Sequence, residues 1–179
     1  KKVMAAAAKQ LTPVTLELGG KSPVIVLDGA DLAITAKRLI WGKGLNAGQT
    51  CIAPNHVFVK EDLLEPLLKE FKGALKELYG TNPVESSDLG GIVNEHHFKR
   101  LSNLIQSAFN KDQVLMGGQI DINKKKIAPT LVKITEGEDP LLENELFGPI
   151  LPILQIPNLD FAVKEVRKHP KPLAIYMFG

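Results

Sequence analysis

One cysteine occurs in the chain, Cys51, inside the stretch GLNAGQTCIAPNH spanning 44–56. A lone free thiol is often an inert apolar plug in a core. Here Gly48, Gln49 and Thr50 precede it and Pro54 follows, a turn composition that can present a thiol to a ligand. A free thiol is mostly protonated at neutral pH, so a nucleophilic role demands local help. Both readings stand on this stretch alone.

Two carboxylates invite a similar question. Glu17 sits between two leucines in LELGGKSP, directly before Gly19-Gly20. It is either a solvent-facing strand residue or a general base in a pocket beyond a strand end, because α/β sheets collect ligands outside the carboxyl ends of their strands. Glu145 lies in ENELFGPI (143–150), with Phe147 two residues on. A carboxylate can accept hydrogen bonds from both hydroxyls of a ribose, and a ring can pack beside a planar heterocycle. Phe147 taken singly also fits an ordinary core position.

The four histidines, His56, His96, His97 and His169, show no ligand spacing, and no metal is expected. CxxC, HExxH, Walker and GxSxG motifs do not occur.

These residues need elements to position them. Residues 1–11 are Ala-rich and helical. Val14–Leu18 and Pro23–Leu27 read as short strands parted by Gly19-Gly20. Asp31 has the character of an N-cap for a helix to about residue 45. A strand at 57–59 precedes a helix with Leu64, Leu67, Phe71, Leu75 and Leu78 on one face. Asn94 starts another helix, with Phe98, Leu101, Ile105 and Ala108 as its stripe. Strands are expected at 114–116, 128–134 and 150–156. Asn158 caps a last helix, and a strand closes the chain. Strands alternating with helices of this length predict an α/β fold, a mostly parallel sheet with flanking helices.

The 179 residues carry 44% apolar and 23% charged side chains and a formal charge of +2. That balance speaks against a nucleic-acid partner, and Lys124-Lys125-Lys126 reads as a solvated turn. No apolar run is long enough for a transmembrane helix, and no secretory leader is apparent. A single cysteine fits a reducing compartment. The chain opens in a helical pattern and stops at an apolar strand, so we expect a segment of a longer protein.

In order along the chain, LELGGKSP (16–23), GLNAGQTCIAP (44–54) and NELFGPILPI (144–153) resemble the aldehyde dehydrogenase superfamily, as does the separation of Glu17 from Cys51. GQTCIAP, DLGGIVNEHHFKRL (88–101), IAPTLV (127–132) and KPLAIYMF (171–178) look like its class-3-type, or fatty aldehyde, branch. The resemblance implies Cys51 as nucleophile, Glu17 as general base, and NAD or NADP as cofactor. It implies that Glu145 holds the nicotinamide ribose, that Phe147 supports the nicotinamide ring, and that Gly19 and Gly20 let backbone approach the cofactor.

It further implies oxidation of a medium- or long-chain aliphatic or aromatic aldehyde through a cysteine thiohemiacetal and a thioester. Relatives that pass the acyl group to coenzyme A or phosphate, or a non-catalytic fragment, are the alternatives. Residues 1–20 would be the tail of a dinucleotide-binding domain, and 21–179 a catalytic domain incomplete at its C-terminus. The segment alone would be inactive. A homodimeric parent is expected, in the cytoplasm or on the cytoplasmic face of a membrane, with any anchor beyond Gly179. One departure stands out. Asn55-His56 follows CIAP where that branch often carries an acidic residue and an aromatic one, and the change is expected to bear on substrate preference.

Overall fold

The computed structural model describes residues 1–135 and 139–179. Helix α1 (Lys2–Ala8) buries none of its residues. After an extended stretch come β1 (Pro23–Val26), α2 (Leu32–Gly44), β2 (His56–Lys60) and α3 (Leu64–Tyr79). Then follow α4 (Glu95–Asn110), β3 (Val114–Met116), a β4 (Ile120–Asp121) and β5 (Lys126–Ile127) ribbon, and β6 (Thr130–Ile134). The short α5 (Pro140–Glu143), β7 (Ile150–Ile156), α6 (Leu159–Val166) and β8 (Tyr176–Phe178) complete the chain.

Six strands form one sheet in the order β3-β6-β7-β2-β1-β8. Every pairing is parallel except β3 with β6. The pleat divides each central strand between two faces. Val24, Val26, Val57 and Val59 pack on the same side as Leu39, Ile40, Leu67 and Phe71 of α2 and α3. Ile25, Phe58, Ile150 and Leu154 face Phe98, Leu101, Ile105 and Ala162 of α4 and α6. Burial on both faces explains why these strands are near-continuous apolar runs.

Helix starts follow their cap chemistry. Asp31 accepts from the Ile34 N–H at 3.0 Å, Asn94 from His97 at 2.9 Å and Asn158 from Phe161 at 3.0 Å.

One expected strand does not form. Val14–Leu18 is extended but joins no ladder, and Leu16 and Leu18 are exposed. The reason is topological: both edges of β1 are already occupied, by β2 and β8. A β-favouring composition yields a strand only where a partner can satisfy its backbone groups.

The first residue of β2, His56, is buried and meets Phe58 edge-on, with ring centroids 5.0 Å apart. Burial, with Lys21, His169 and Lys43 adding positive charge nearby, pushes its pKa down to about 3. The folded protein therefore holds a neutral imidazole where the unfolded chain, near 6.5, takes up a proton. Stability present above pH 6.5 is lost as pH falls toward 3. Replacing His56 by Phe in the full-length protein should remove roughly 2 kcal/mol of the stability lost between pH 7.5 and pH 5. Urea denaturation at the two pH values measures this, and an unchanged pH dependence in the variant counts against it.

Candidate active site

Three neighbouring parallel strands, β7, β2 and β1, begin on one rim of the sheet. In register, Pro23 pairs with His56 and Val57 with Ile153. Each candidate stretch lies just ahead of one of these strands: Glu17–Gly20 before β1, Cys51 before β2, and Glu145–Phe147 before β7. The topology thus collects residues far apart in sequence at the amino ends of the strands. This differs from the expectation that Glu17 ends a strand at its carboxyl edge, because Val14–Leu18 is not part of the sheet.

Helix α2 delivers the chain to this rim and then turns sharply. Asn46, Ala47 and Gly48 all have positive φ, 50°, 53° and 72°. Two of them carry side chains, so the turn is strained and must be held. Gln49 holds it. Its Nε2 donates to the Asn46 carbonyl at 2.9 Å and the Gly91 carbonyl at 3.1 Å, and its Oε1 accepts from the Val93 N–H at 2.9 Å. In return Asn46 Nδ2 donates to the Gln49 carbonyl at 3.0 Å. Cys51 follows, exposed. The Tyr176 hydroxyl of β8 donates to the Ile52 carbonyl at 2.6 Å. Burial and the nearby Cys51 raise the Tyr176 pKa, which keeps the phenol a donor.

Glu17 lies exposed in the extended segment, and that segment is tied to the cysteine turn through Ser22. The Ser22 carbonyl accepts the Asn55 N–H at 2.8 Å.

Glu145 is half-buried, and its Oε1 is shielded from solvent without a hydrogen-bond partner among the described residues. A side chain at Gly19 would put its Cβ 2.4 Å from Glu145 Oε2, so glycine there makes room for the carboxylate. Gly20 lies against the backbone of Pro172 and Leu173. Phe147 is exposed and has a positive φ of 47°, a second strained residue on the same rim. The two strained turns touch. A Cβ on Gly48 would fall 2.4 Å from the Gly148 carbonyl oxygen.

Lys43 was not singled out by motif, yet it is buried in the last turn of α2. Its Nζ donates to the Pro54 carbonyl at 2.8 Å. Burial lowers its pKa to about 7, and the Glu145 carboxylate pulls the other way. The signal was available in the periodicity: Ala36, Leu39, Ile40 and Lys43 share one helical stripe. Gln49 and Asn55 left no such trace, because their partners are remote in sequence.

Two cavities open at the rim. One, about 480 Å³, is walled mostly by apolar residues, including Trp41, Leu45, Ile52, Ile175 and Met177. Thr50 and Ile52, on either side of Cys51, line it. The other, about 550 Å³, is lined by Glu145 and Phe147 together with His97, Arg100 and Leu104. Asn55 and His56 line neither; both are buried behind the turn. The departure at these positions therefore bears on how the rim is held, away from the apolar wall.

This arrangement sets an exposed thiol beside an apolar cleft lined by its two neighbours, with a carboxylate oxygen that has no hydrogen-bond partner among the described residues and a ring on the adjoining side. Replacing Gly48 by Ala should destabilise the full-length protein by on the order of 2 kcal/mol or more, from left-handed strain plus collision with Gly148. It should also slow alkylation of Cys51 by iodoacetamide. Wild-type stability and thiol reactivity in that variant would mean that the contact between the turns does not matter.

The model of the aldehyde dehydrogenase family matches residues 1–179. Aldehyde dehydrogenase family 3 member H1 of Arabidopsis thaliana is 45% identical over 177 residues, covering 98% of this chain and 37% of the relative. The dimeric NADP-preferring aldehyde dehydrogenase of Mus musculus is 43% identical, covering 99% and 38%. Among solved structures, the substrate-bound state of Staphylococcus aureus AldH superposes with a TM-score of 0.95 at 41% identity, covering 99% of this chain and 38% of that one. The chain thus spans a little over a third of the length of these relatives.

Proposed function

This chain belongs to the aldehyde dehydrogenase family, alongside its family 3 members, and on that premise we propose that the full-length protein oxidises an aldehyde to its carboxylic acid with NAD or NADP. The observation that carries this reading is the pairing at one rim of an exposed lone cysteine with an apolar cavity on one side and the Glu145–Phe147 loop on the other.

The apolar wall beside Cys51 supports a medium- or long-chain aliphatic, or an aromatic, aldehyde. The Cys51 thiolate adds to the carbonyl carbon, forming a C–S bond and a tetrahedral thiohemiacetal. When bound, a nicotinamide cofactor would supply the acceptor for the hydride, and Cys51 would then carry the acyl group as a thioester. Glu17 then takes a proton from water as that water attacks the thioester, releasing the acid and restoring the thiol.

The residues present suit such a cofactor. Glu145, whose Oε1 has no hydrogen-bond partner among the described residues, lines the second cavity and would hold ribose hydroxyls, and exposed Phe147 offers a face for a planar ring. Gly19 keeps space for the Glu145 carboxylate, and Gly20 allows close backbone packing next to it. The name of the mouse relative, NADP-preferring and dimeric, supports both the cofactor class and a homodimer.

We assign residues 1–20 to the tail of a cofactor domain and 21–179 to the catalytic domain. In support, α1 buries nothing, and the apolar core begins at Val24. The segment by itself should not turn over. No helix among the described residues is long and apolar enough to cross a membrane. The free thiol supports a reducing compartment, in the cytoplasm or at a cytoplasmic membrane face.

In the full-length protein, Cys51→Ala should abolish NAD(P)H formation with aliphatic aldehydes of graded length. Persistent turnover would remove Cys51 as nucleophile. Glu17→Gln should stall after acylation, and intact mass spectrometry should then show one added acyl group. Unimpaired turnover without that adduct would point to acyl transfer, or to another base.

A further inference from the structure

We propose that Asn55 is a positioning residue for the cofactor side of the site, acting through the backbone of Leu146. The inference rests on the assignment of Glu145 and Phe147 to the cofactor made above, and it adds a residue outside both cavities.

Leu146 stands between the two side chains in question, and both of its backbone polar groups are held. Its N–H donates to Asn55 Oδ1 at 3.0 Å, in a fully buried contact. Its carbonyl accepts from Arg100 Nη2 at 2.6 Å. Its own side chain is buried. A peptide fixed at both polar ends sets where its flanking residues point. Phe147, at a φ of 47°, is in a conformation that a non-glycine residue keeps only when its surroundings impose it.

Asn55 is itself fixed. Its backbone N–H donates to the Ser22 carbonyl at 2.8 Å, and its side-chain amide faces His56 Nδ1 at 3.4 Å. The preceding carbonyl, that of Pro54, accepts from buried Lys43. One buried residue therefore joins three chain segments, by its backbone N–H the one that carries Glu17 and by its side chain the one that carries Glu145 and Phe147, from its place in the segment that carries Cys51. No hydrogen bond runs from Asn55 to Cys51 itself, and the cysteine turn has its own supports in Gln49 and Tyr176. Loss of the Asn55 acceptor should therefore disturb the 145–147 loop and spare the thiol.

The test uses the full-length protein and three variants. Asn55→Leu keeps the volume and removes the acceptor, leaving the Leu146 N–H buried and unpaired. We expect the Kd for NAD or NADP, read by quenching of protein fluorescence, and the cofactor KM to rise about tenfold or more, the order expected for stranding a buried donor. The rate of Cys51 alkylation by iodoacetamide without cofactor should stay within about twofold of wild type, since its supports are intact. Asn55→Ser, polar but too short to reach, should show the same split, and it carries the test if the leucine variant does not fold. Asn55→Asp retains an acceptor at the same place and should return the cofactor Kd to within about threefold of wild type.

Unchanged cofactor affinity in the leucine and serine variants would overturn the proposal. So would an equal loss of cofactor affinity and thiol reactivity, which marks a general structural role. If the wild-type protein binds no nicotinamide cofactor, the functional assignment fails first, and that result is distinct from a wild type that binds and a serine variant that binds equally well.

Discussion

The parallel register of β7, β2 and β1 is the constraint on which everything else here depends. Parallel strands start on the same side of a sheet, so the segments that lead into them must meet there. Without that register Glu17, Cys51 and Glu145 would remain three unrelated side chains. With it, a sheet buried on both faces becomes a floor, and the chemistry-bearing segments gather on one of its rims. The apolar strands and helices beneath therefore contribute to the site by being immobile. That is the condition under which a thiol and an electrophile can be held within reach of each other.

The rim is expensive to maintain. Asn46, Ala47 and Phe147 occupy left-handed backbone without being glycine. Strain of this kind persists only when neighbouring contacts over-determine it. Those contacts are identifiable: the Gln49 amide with its three partners, the Lys43 ammonium on Pro54, the Tyr176 hydroxyl on Ile52, and the two-ended hold on Leu146. Most run from a side chain to backbone of another segment. They satisfy buried polar groups that regular secondary structure cannot reach on a rim.

Local signals in the sequence account for much of the fold. Asp31, Asn94 and Asn158 cap helices because an N-cap needs only a short polar side chain and the next turn of backbone. The apolar stripes of α3 and α4 are equally local. The turn around Cys51 was legible from its glycines and proline, and the thiol is exposed as a turn implies. What sequence pattern missed depends on partners far along the chain. Val14–Leu18 has strand composition, but no open edge of β1 remains for it. Lys43 looks like a surface residue until the stripe of α2 is drawn through it. Asn55 drew notice only as a departure from the branch's pattern after CIAP, with substrate preference as the expected consequence, whereas its side chain turns to Leu146, remote in sequence, a contact that no local pattern shows.

The two sides of the site meet backbone to backbone at Gly48 and Gly148. A side chain at Gly48 would strike the opposite backbone, and one at Gly148 would press on the Leu101 side chain of the core, which would have to move. The cysteine turn and the Glu145–Phe147 loop are therefore packed backbone against backbone, with no soft side chain between them to absorb a shift. The spacing of the two backbones is fixed at this contact, while each segment keeps its own hydrogen-bond supports elsewhere. Placing Cys51 and Glu145 on two touching turns fixes the spacing of the backbones that carry them, and that spacing is a property of packing rather than of any one side chain.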